Sequence, residues 1–458
     1  MARAVLTAAS VATVIVAVAV AVSVRPGPAG QPRLAVAGAA EIPCQARSLP
    51  VPAGVNGRFD PDSSILTGAA GTYLAPGRLG QPTTAQATCA VAAETASRDW
   101  LHSGIVPGAT AAQRSMAARA LLDLRLAVQP DGAVLASWRP GWRYAWPRDS
   151  SWVAAALAQT GHGALAYRAL LFLARVQARD GTWAARYRPD GADPVRDGRS
   201  YELDADGWVP WAVWSWAQTQ PPGAARRGLA VLWPMVTRAA DAAARSLTSD
   251  GLPGPAMDYW EDSTEVTLGT AAPLLAGLRA SVDLASYLGG ATASGEARRW
   301  AGAASRLASA ITVSFGPDGY QRMPETGSGA DAAITFLGPP FARPGDDVLD
   351  AAAAAQRVLT VANGGLHPGA AWPGTPEVAW TPETAFFALF DAATGQHRQA
   401  TVLLDWLAAH RTKLGSLPEQ VNSAGRPAST APLSLTDAVT LLALIAQDGQ
   451  LPVVPARP

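Results

Sequence analysis

The sequence carries little charge and almost no lysine. Only 16% of its 458 residues are charged, and 36 basic residues balance 36 acidic ones. This balance leaves no positive field to hold a phosphate backbone, which argues against nucleic acid as a partner. The basic residues are almost all arginine, with Lys413 the single lysine, and we interpret this bias as a property of the genome rather than of a site.

One long hydrophobic run occurs at the N-terminus. Ala4 to Val24 is an uncharged stretch of 21 residues, and small residues follow it in the segment AVAGAA. A helix of this length would span a hydrocarbon layer of roughly 30 Å, whereas the small residues are typical of a cleaved export signal. We therefore predict that residues 1–40 form a signal peptide or a membrane anchor with its linker. The chain is expected to be secreted or tethered to the cell membrane.

Histidine and cysteine are scarce. Five histidines are scattered without cysteine or carboxylate neighbours at ligand spacing, so we expect no metal site and no cofactor. The only cysteines are Cys44 and Cys89. In an exported chain such a pair favours a disulfide over a metal site or a nucleophile, and two reduced buried thiols are the alternative.

Most of the chain has helical periodicity. Residues 41–108 are rich in Pro, Gly, Ser and Thr and predict an irregular lead-in. Beyond them apolar residues recur at intervals of three and four, and 49% of the chain is apolar. We predict helices near residues 110–128, 150–160, 164–178, 204–218, 228–247, 268–288, 294–315, 347–361, 382–393, 396–410 and 434–446. No strand and helix alternation appears, so we expect an all-α domain over 109–449, with paired inner and outer helices closed into a toroid.

Four carboxylates cluster behind two aromatic rings in the segment DYWEDSTEV, residues 258–266. Glu261 follows Tyr259 and Trp260, and a carboxylic acid beside aromatic surface is expected to have a raised pKa, as a general acid requires. The alternative is structural, with Asp262 and Glu265 stabilising the N-terminus of the next helix through its dipole.

Two further loops carry polar residues suited to sugar chemistry. In LPEQVNSAG, Glu419 lies between two helical segments, and an exposed loop glutamate is the alternative interpretation. In WRYAWPRDSSWV, Arg148 offers a planar fork of donors and Asp149 offers acceptors, the two polarities that bind adjacent hydroxyls. Asp149 is also suited to cap a helix beginning at Ser150.

Together the three loops resemble the glucoamylase-type enzymes of glycoside hydrolase family 15, from about Ala111 to Gln447. The segment GWRYAWPRDSSWVAAAL is similar to the block that holds the terminal glucose. This resemblance implies an (α/α)₆ barrel in which Arg148 and Asp149 bind the sugar and Trp146 supports its face.

The same resemblance implies roles in the other two loops. DYWED is similar to the motif whose general acid directly follows a tryptophan, which implies Glu261 behind Trp260, with Asp262 on the +1 side. LPEQVNSAG is similar to the base motif and implies Glu419 as the carboxylate that activates water, with Gln420 beside it.

Other blocks match less completely. ELDADGW resembles a block lining the sugar pocket, which implies contacts from Asp206 and Trp208. AWTPETAFF keeps Glu383 but has Trp380 where the family block carries arginine. This change leaves the contacts of the +1 sugar, and hence the linkage preference, open. Leu435 stands where the family has tryptophan, so we expect a different pocket wall.

The sequence thus predicts an exported, metal-independent, inverting glycoside hydrolase that releases β-D-glucose from α-glucans or α-glucosides. Inversion requires the two carboxyl groups to lie roughly 6.5–9.5 Å apart, leaving room for water. We expect a monomer whose partner is a carbohydrate. Two alternatives stay open, an inactive surface carbohydrate-binding protein and an α/α-barrel glycoside phosphorylase.

Overall fold

The structure is a computed structural model that describes residues 33–45, 48–75, 78–190, 193–199, 201–449 and 451–456. The predicted signal or anchor run, Ala4 to Val24, lies outside these residues. Among the described residues, no helix combines the length and the hydropathy needed to cross a membrane.

The lead-in is more regular than its composition predicts. Two antiparallel sheets precede a long helix: β1 (Val36–Glu41) with β2 (Ser48–Pro52), and β3 (Gly57–Phe59), β4 (Leu66–Gly68), β5 (Tyr73–Ala75) and β6 (Arg78–Gly80) in chain order, followed by α1 (Thr84–His102). A capping box between Thr83 and Gln86 starts α1. The helix buries few of its side chains, so its apolar period is weak in the sequence. A disulfide joins Cys44 to Cys89 across a Cα distance of 5.2 Å and fixes the loop after β1 to α1.

Eleven helices follow, and each of the eleven predicted segments is helical. They are α2 (Ala111–Ala127), α3 (Pro147–Gln159), α4 (Gly163–Val176), α5 (Ala205–Thr219), α6 (Pro222–Ser246), α7 (Leu268–Leu288), α8 (Ala291–Phe315), α9 (Asp346–Leu359), α10 (Thr381–Ala393), α11 (His397–Ala409) and α12 (Ser434–Gln447). A small sheet joins β7 (Ala379–Trp380), β8 (Gln420–Val421) and β9 (Pro427–Ala428).

The helices form two concentric rings, which confirms the predicted toroid. The inner ring runs through α3, α5, α7, the 3₁₀ segment Ala332–Leu337, α10 and α12, each packed on the next, and α12 closes the ring on α3. The outer ring consists of α2, α4, α6, α8, α9 and α11. Inner helices are buried on nearly every side, as in α5 and α10, whereas outer helices such as α9 bury one stripe.

Close packing between two inner helices depends on glycine. A Cβ atom on Gly207 of α5 would lie 2.1 Å from the carbonyl oxygen of Pro273 on α7, and one on Gly277 would lie 2.5 Å from the Cα of Gly207. Neither position tolerates a side chain without separating the two backbones. This contact keeps the inner ring narrow.

Candidate active site

A cavity of about 450 Å³ opens at the N-terminal ends of α3, α10 and α12. Its aromatic lining consists of Trp142, Tyr144, Trp146, Tyr259, Trp260, Trp372, Trp380 and Phe386. Its charged lining consists of Arg148, Asp149, Arg186, Arg199, Glu261, Glu383 and Glu419. Flat rings around a few convergent charges suit a ligand with apolar faces and polar edges, as a pyranose has.

Glu419 is buried at the cavity wall, immediately before β8. The indole N–H of Trp142 donates to its Oε1 at 3.1 Å, and the Ser429 hydroxyl donates to its Oε2. Its backbone N–H donates to the carbonyl of Thr430 at 2.8 Å, which fixes the residue against the segment that follows β9. Burial raises the pKa of Glu419, while the two donated hydrogen bonds lower it. Such a carboxylate is held in one orientation and is able to accept a proton.

Glu261 reaches the same cavity from the loop before α7. The indole N–H of Trp146 donates to its Oε1 at 3.0 Å, and the guanidinium of Arg199 contacts its Oε2 at 2.7 Å. Its backbone has a φ of 56°, which a non-glycine residue adopts only under local constraint. This turn directs Glu261 into the cavity, away from the other three carboxylates of the segment.

Those three carboxylates have separate structural roles. Asp258 is buried, accepts the backbone N–H groups of Asp262 and Ser263, and pairs with Arg322 at 2.5 Å. Asp262 also pairs with Arg322, at 3.2 Å. Glu265 is exposed to solvent. Arg322 thus compensates the charges of both aspartates. No acidic residue occupies the first turn of α7, so the alternative in which Asp262 and Glu265 stabilise that turn is wrong.

Arg148 is held by three carboxylates at the floor of the cavity. It pairs with Glu202, with Asp204 at 3.1 Å and with Asp149 at 3.7 Å. Burial raises the pKa of Asp149 to about 6, although Arg148 opposes this shift. Asp149 is the third residue of α3, which begins at Pro147, so the expectation that it caps a helix at Ser150 is wrong.

Glu383 also lines the cavity, in the first turn of α10. It is 5% exposed, and its Oε2 has no hydrogen-bond partner among the described residues. Burial raises its pKa to about 8. At neutral pH the group therefore carries a proton that it is able to donate to a ligand oxygen.

An aromatic wall extends from the carboxylates toward solvent. The rings of Trp260 and Trp372 have centroids 4.5 Å apart, and Trp372 meets Trp380 edge to face at 5.5 Å. In the part of the chain that the structure describes, the indole N–H groups of Trp260 and Trp372 have no hydrogen-bond partner. Leu435 also lines the cavity, so the two departures from the family blocks, at Trp380 and at Leu435, both fall in its wall.

Four residues that were expected to contact the sugar do not line the cavity. Asp206 and Trp208 are fully buried within the first turns of α5, where the Trp208 indole packs against Trp152, so their assignment to the pocket lining is wrong. The motif did not predict this, because the space around the start of α5 is filled by aromatic core side chains and is not part of the cavity. Asp262 and Gln420 flank Glu261 and Glu419 in sequence, but their side chains do not line the cavity.

Several contacts in the site were not predicted from the sequence motifs. Trp142 belongs to the motif of Arg148 but donates to Glu419, and Ser429, just beyond the motif of Glu419, donates to the same carboxylate. Arg199 pairs with Glu261 and Trp372 extends the aromatic wall, and both residues lie outside the motifs. Among the described residues, no group of three or more His, Cys, Asp or Glu side chains is arranged to hold a metal ion.

Comparisons with known proteins agree with this fold. No family model matches the chain. An uncharacterized glycosyl hydrolase of Methanocaldococcus jannaschii is 30% identical over 101 residues, which cover 22% of this chain and only 16% of that protein. A solved wild-type glycosidase superposes with a TM-score of 0.62 at 23% identity, over 74% of this chain and 96% of that one.

Two solved glucoamylases superpose as well. A glucoamylase from Saccharomycopsis fibuligera has a TM-score of 0.56 and 13% identity, covering 71% of this chain and 91% of the other. A bacterial glucoamylase complexed with acarbose has a TM-score of 0.60 and 17% identity, covering 83% and 63%. At these identities the likeness shows a shared (α/α)₆ fold.

Proposed function

We propose that this chain is an exported glycoside hydrolase of the glucoamylase type, which releases β-D-glucose from the non-reducing end of α-glucosides with inversion. The observation that carries the proposal is the meeting of Glu261 and Glu419 in one aromatic cavity, each oriented by an indole N–H. Two separately held carboxyl groups in one sugar-sized cavity are what acid and base catalysis of glycoside cleavage needs.

In the proposed reaction Glu261 is the general acid and Glu419 the general base. Protonated Glu261 transfers its proton to the glycosidic oxygen as the bond from that oxygen to C1 breaks. Glu419 removes a proton from water while the water oxygen forms the new bond to C1 from the opposite face. Glu261 ends as a carboxylate and Glu419 as a carboxylic acid, so one proton passes between them through solvent before the next cycle.

The remaining cavity groups fit the terminal sugar. Arg148 donates while Asp149 accepts, and protonated Glu383 supplies a further donor, so adjacent hydroxyls meet both polarities. Trp146 and Trp260 offer flat surfaces to the sugar ring. Removal of one sugar from a chain end is what the resemblance to glucoamylase-type enzymes implies for such a site.

The comparisons support the same proposal at the level of the substrate class. The neighbours include a glycosidase in complex with glucose and a bacterial glucoamylase complexed with acarbose. Export rests on the run Ala4 to Val24, and we propose a secreted or membrane-tethered monomer. Which α-linkage the enzyme cleaves depends on the wall that contains Trp380 and Leu435.

The test is turnover of the purified full chain on maltose, isomaltose, trehalose, maltoheptaose and dextran. Glucose release should be lost in Glu261→Gln and in Glu419→Gln and retained in Glu265→Gln, an exposed carboxylate of the same segment. Glucose 1-phosphate released only with inorganic phosphate would indicate a phosphorylase. Sugar binding without turnover of any glycoside would indicate a carbohydrate-binding protein.

A further inference from the structure

Three arginines line the cavity, and their counterions differ. Arg148 is surrounded by Asp149, Glu202 and Asp204. Arg186 pairs with Asp197 and packs over the Trp146 ring at 5.0 Å. The carboxylates compensate the charges of both arginines. Both side chains are only 9% exposed, so their positions are fixed by the surrounding residues.

Arg199 is different because its close counterion is the proposed acid itself. Its guanidinium contacts Glu261 at 2.7 Å and reaches Asp197 only at 3.9 Å, and Asp197 already serves Arg186. The Arg199 side chain is 37% exposed and belongs to a segment without helix or strand. It is therefore the cavity cation with the most freedom to change partner.

This ion pair conflicts with the proposed chemistry unless Arg199 changes partner. A general acid donates a proton only from its protonated form, and a protonated Glu261 no longer offers Arg199 a negative charge. Arg199 would then keep a partly buried positive charge. Its remaining carboxylate partner, Asp197, also pairs with Arg186. A negative group on the substrate would replace the lost carboxylate.

The position of Arg199 defines which part of the substrate would carry that charge. Glu261 protonates the glycosidic oxygen, so a group in contact with Glu261 lies beside the leaving group rather than beside the terminal sugar. The sugar end of the cavity has its own charged groups in Arg148, Asp149 and Glu383. Arg199 is thus suited to a charge within a few bonds of the glycosidic oxygen.

We propose that Arg199 makes the enzyme selective for α-glucosides whose leaving group carries a carboxylate close to the glycosidic bond. The inference rests on the proposed hydrolase function and specifies its substrate class. On binding, the substrate carboxylate takes the place of Glu261 as the partner of Arg199, and Glu261 is released to hold its proton. The bonds broken and formed are those of the hydrolysis described above, and the substrate carboxylate takes no covalent part in it.

The experiment compares two matched substrates, the α-D-glucosides of glycolate and of glycolamide, which differ in charge but little in shape. The ratio of their kcat/KM values is measured for the wild type, Arg199→Gln, Arg199→Lys and the control Arg196→Gln, which removes an exposed arginine from the same segment. We expect the wild type and Arg196→Gln to favour the glycolate by roughly tenfold or more, the strength of a charged hydrogen bond.

Arg199→Gln should bring the ratio of the two kcat/KM values to about one, and Arg199→Lys should keep part of the preference. Equal rates in the wild type, or a preference that survives in Arg199→Gln, would overturn the proposal. Absence of hydrolysis of every glucoside would contradict the hydrolase function instead. Calorimetric binding of the same two glucosides would then decide, since Arg199 as an anion site requires tighter glycolate binding that Arg199→Gln removes.

Discussion

Replacing Trp142 with phenylalanine should raise the pH below which the enzyme stops working. The indole N–H donates to Glu419 at 3.1 Å, and this bond lowers the pKa of a carboxyl group that burial has raised. Phenylalanine keeps a flat ring in the cavity but has no donor. The pKa of Glu419 should therefore rise further, and since a general base acts only when ionised, the acidic limb of kcat/KM should move to higher pH.

The size of the effect follows from the strength of the lost bond. A hydrogen bond to a charged group contributes about 1.5–3 kcal/mol, and 1.36 kcal/mol corresponds to one pH unit. The acidic limb should thus move upward by about 1 to 2 pH units, with the lower value favoured because Ser429 still donates to the other oxygen.

The assay is kcat/KM for the best glucoside between pH 3 and pH 9. Trp138→Phe is the control, because the buried indole N–H of Trp138 has no hydrogen-bond partner among the residues that the structure describes and does not contact Glu419. An acidic limb that stays in place in Trp142→Phe, or that moves equally in Trp138→Phe, would refute the assignment of Glu419 as the base.

Three further predictions follow from the site and the fold. Glu261→Gln should lower kcat on a glucoside by roughly 10²–10⁴-fold but spare α-D-glucosyl fluoride, whose leaving group needs no proton; equal losses on both substrates would contradict the acid role. Replacing both Cys44 and Cys89 with serine, which opens a loop of sequence separation 45, should lower the free energy of unfolding by about 4 kcal/mol in urea titrations, and an unchanged midpoint would contradict this. Burial raises the pKa of Asp391 to about 7 from 3.8, so the native state binds the extra proton and stability falls as pH rises from about 4 to 7. Asp391→Asn should remove this loss, which amounts to about 3 kcal/mol in urea unfolding at pH 8 against pH 5, while a pH slope equal to that of the wild type would exclude Asp391 as its source.

Helical periodicity predicted the ring because each helix of the barrel either buries one stripe or is buried throughout. Two elements were not predicted because they lack this periodicity. Helix α1 (Thr84–His102) has few buried residues, and its start depends on a capping box in a segment that otherwise resembles a loop. The 3₁₀ segment Ala332–Leu337 takes an inner position with six residues, too few to show a period.

The residues of the candidate active site also differ in how well the sequence predicted them. Glu261, Glu419, Arg148 and Asp149 belong to short motifs in which sequence neighbours carry the chemistry, and all four line the cavity. Asp206 was misplaced because a motif does not reveal which inner helices end at open space.

The sequence did not predict contacts between separate segments, because motifs contain only neighbouring residues. Ser429 binds Glu419 only because the turn between β8 and β9 folds back, and Arg199 meets Glu261 from a segment some sixty residues away. Contacts of this kind depend on tertiary packing, which local pattern does not encode.

The most direct test of the central claim is the anomeric form of the first glucose released. Proton NMR of the full chain acting on its best α-glucoside, recorded before mutarotation proceeds, should show β-D-glucose appearing first, because water activated by Glu419 attacks C1 from the face opposite the bond that Glu261 protonates. Initial appearance of α-D-glucose would mean that the configuration is retained, and would contradict the roles given to Glu261 and Glu419.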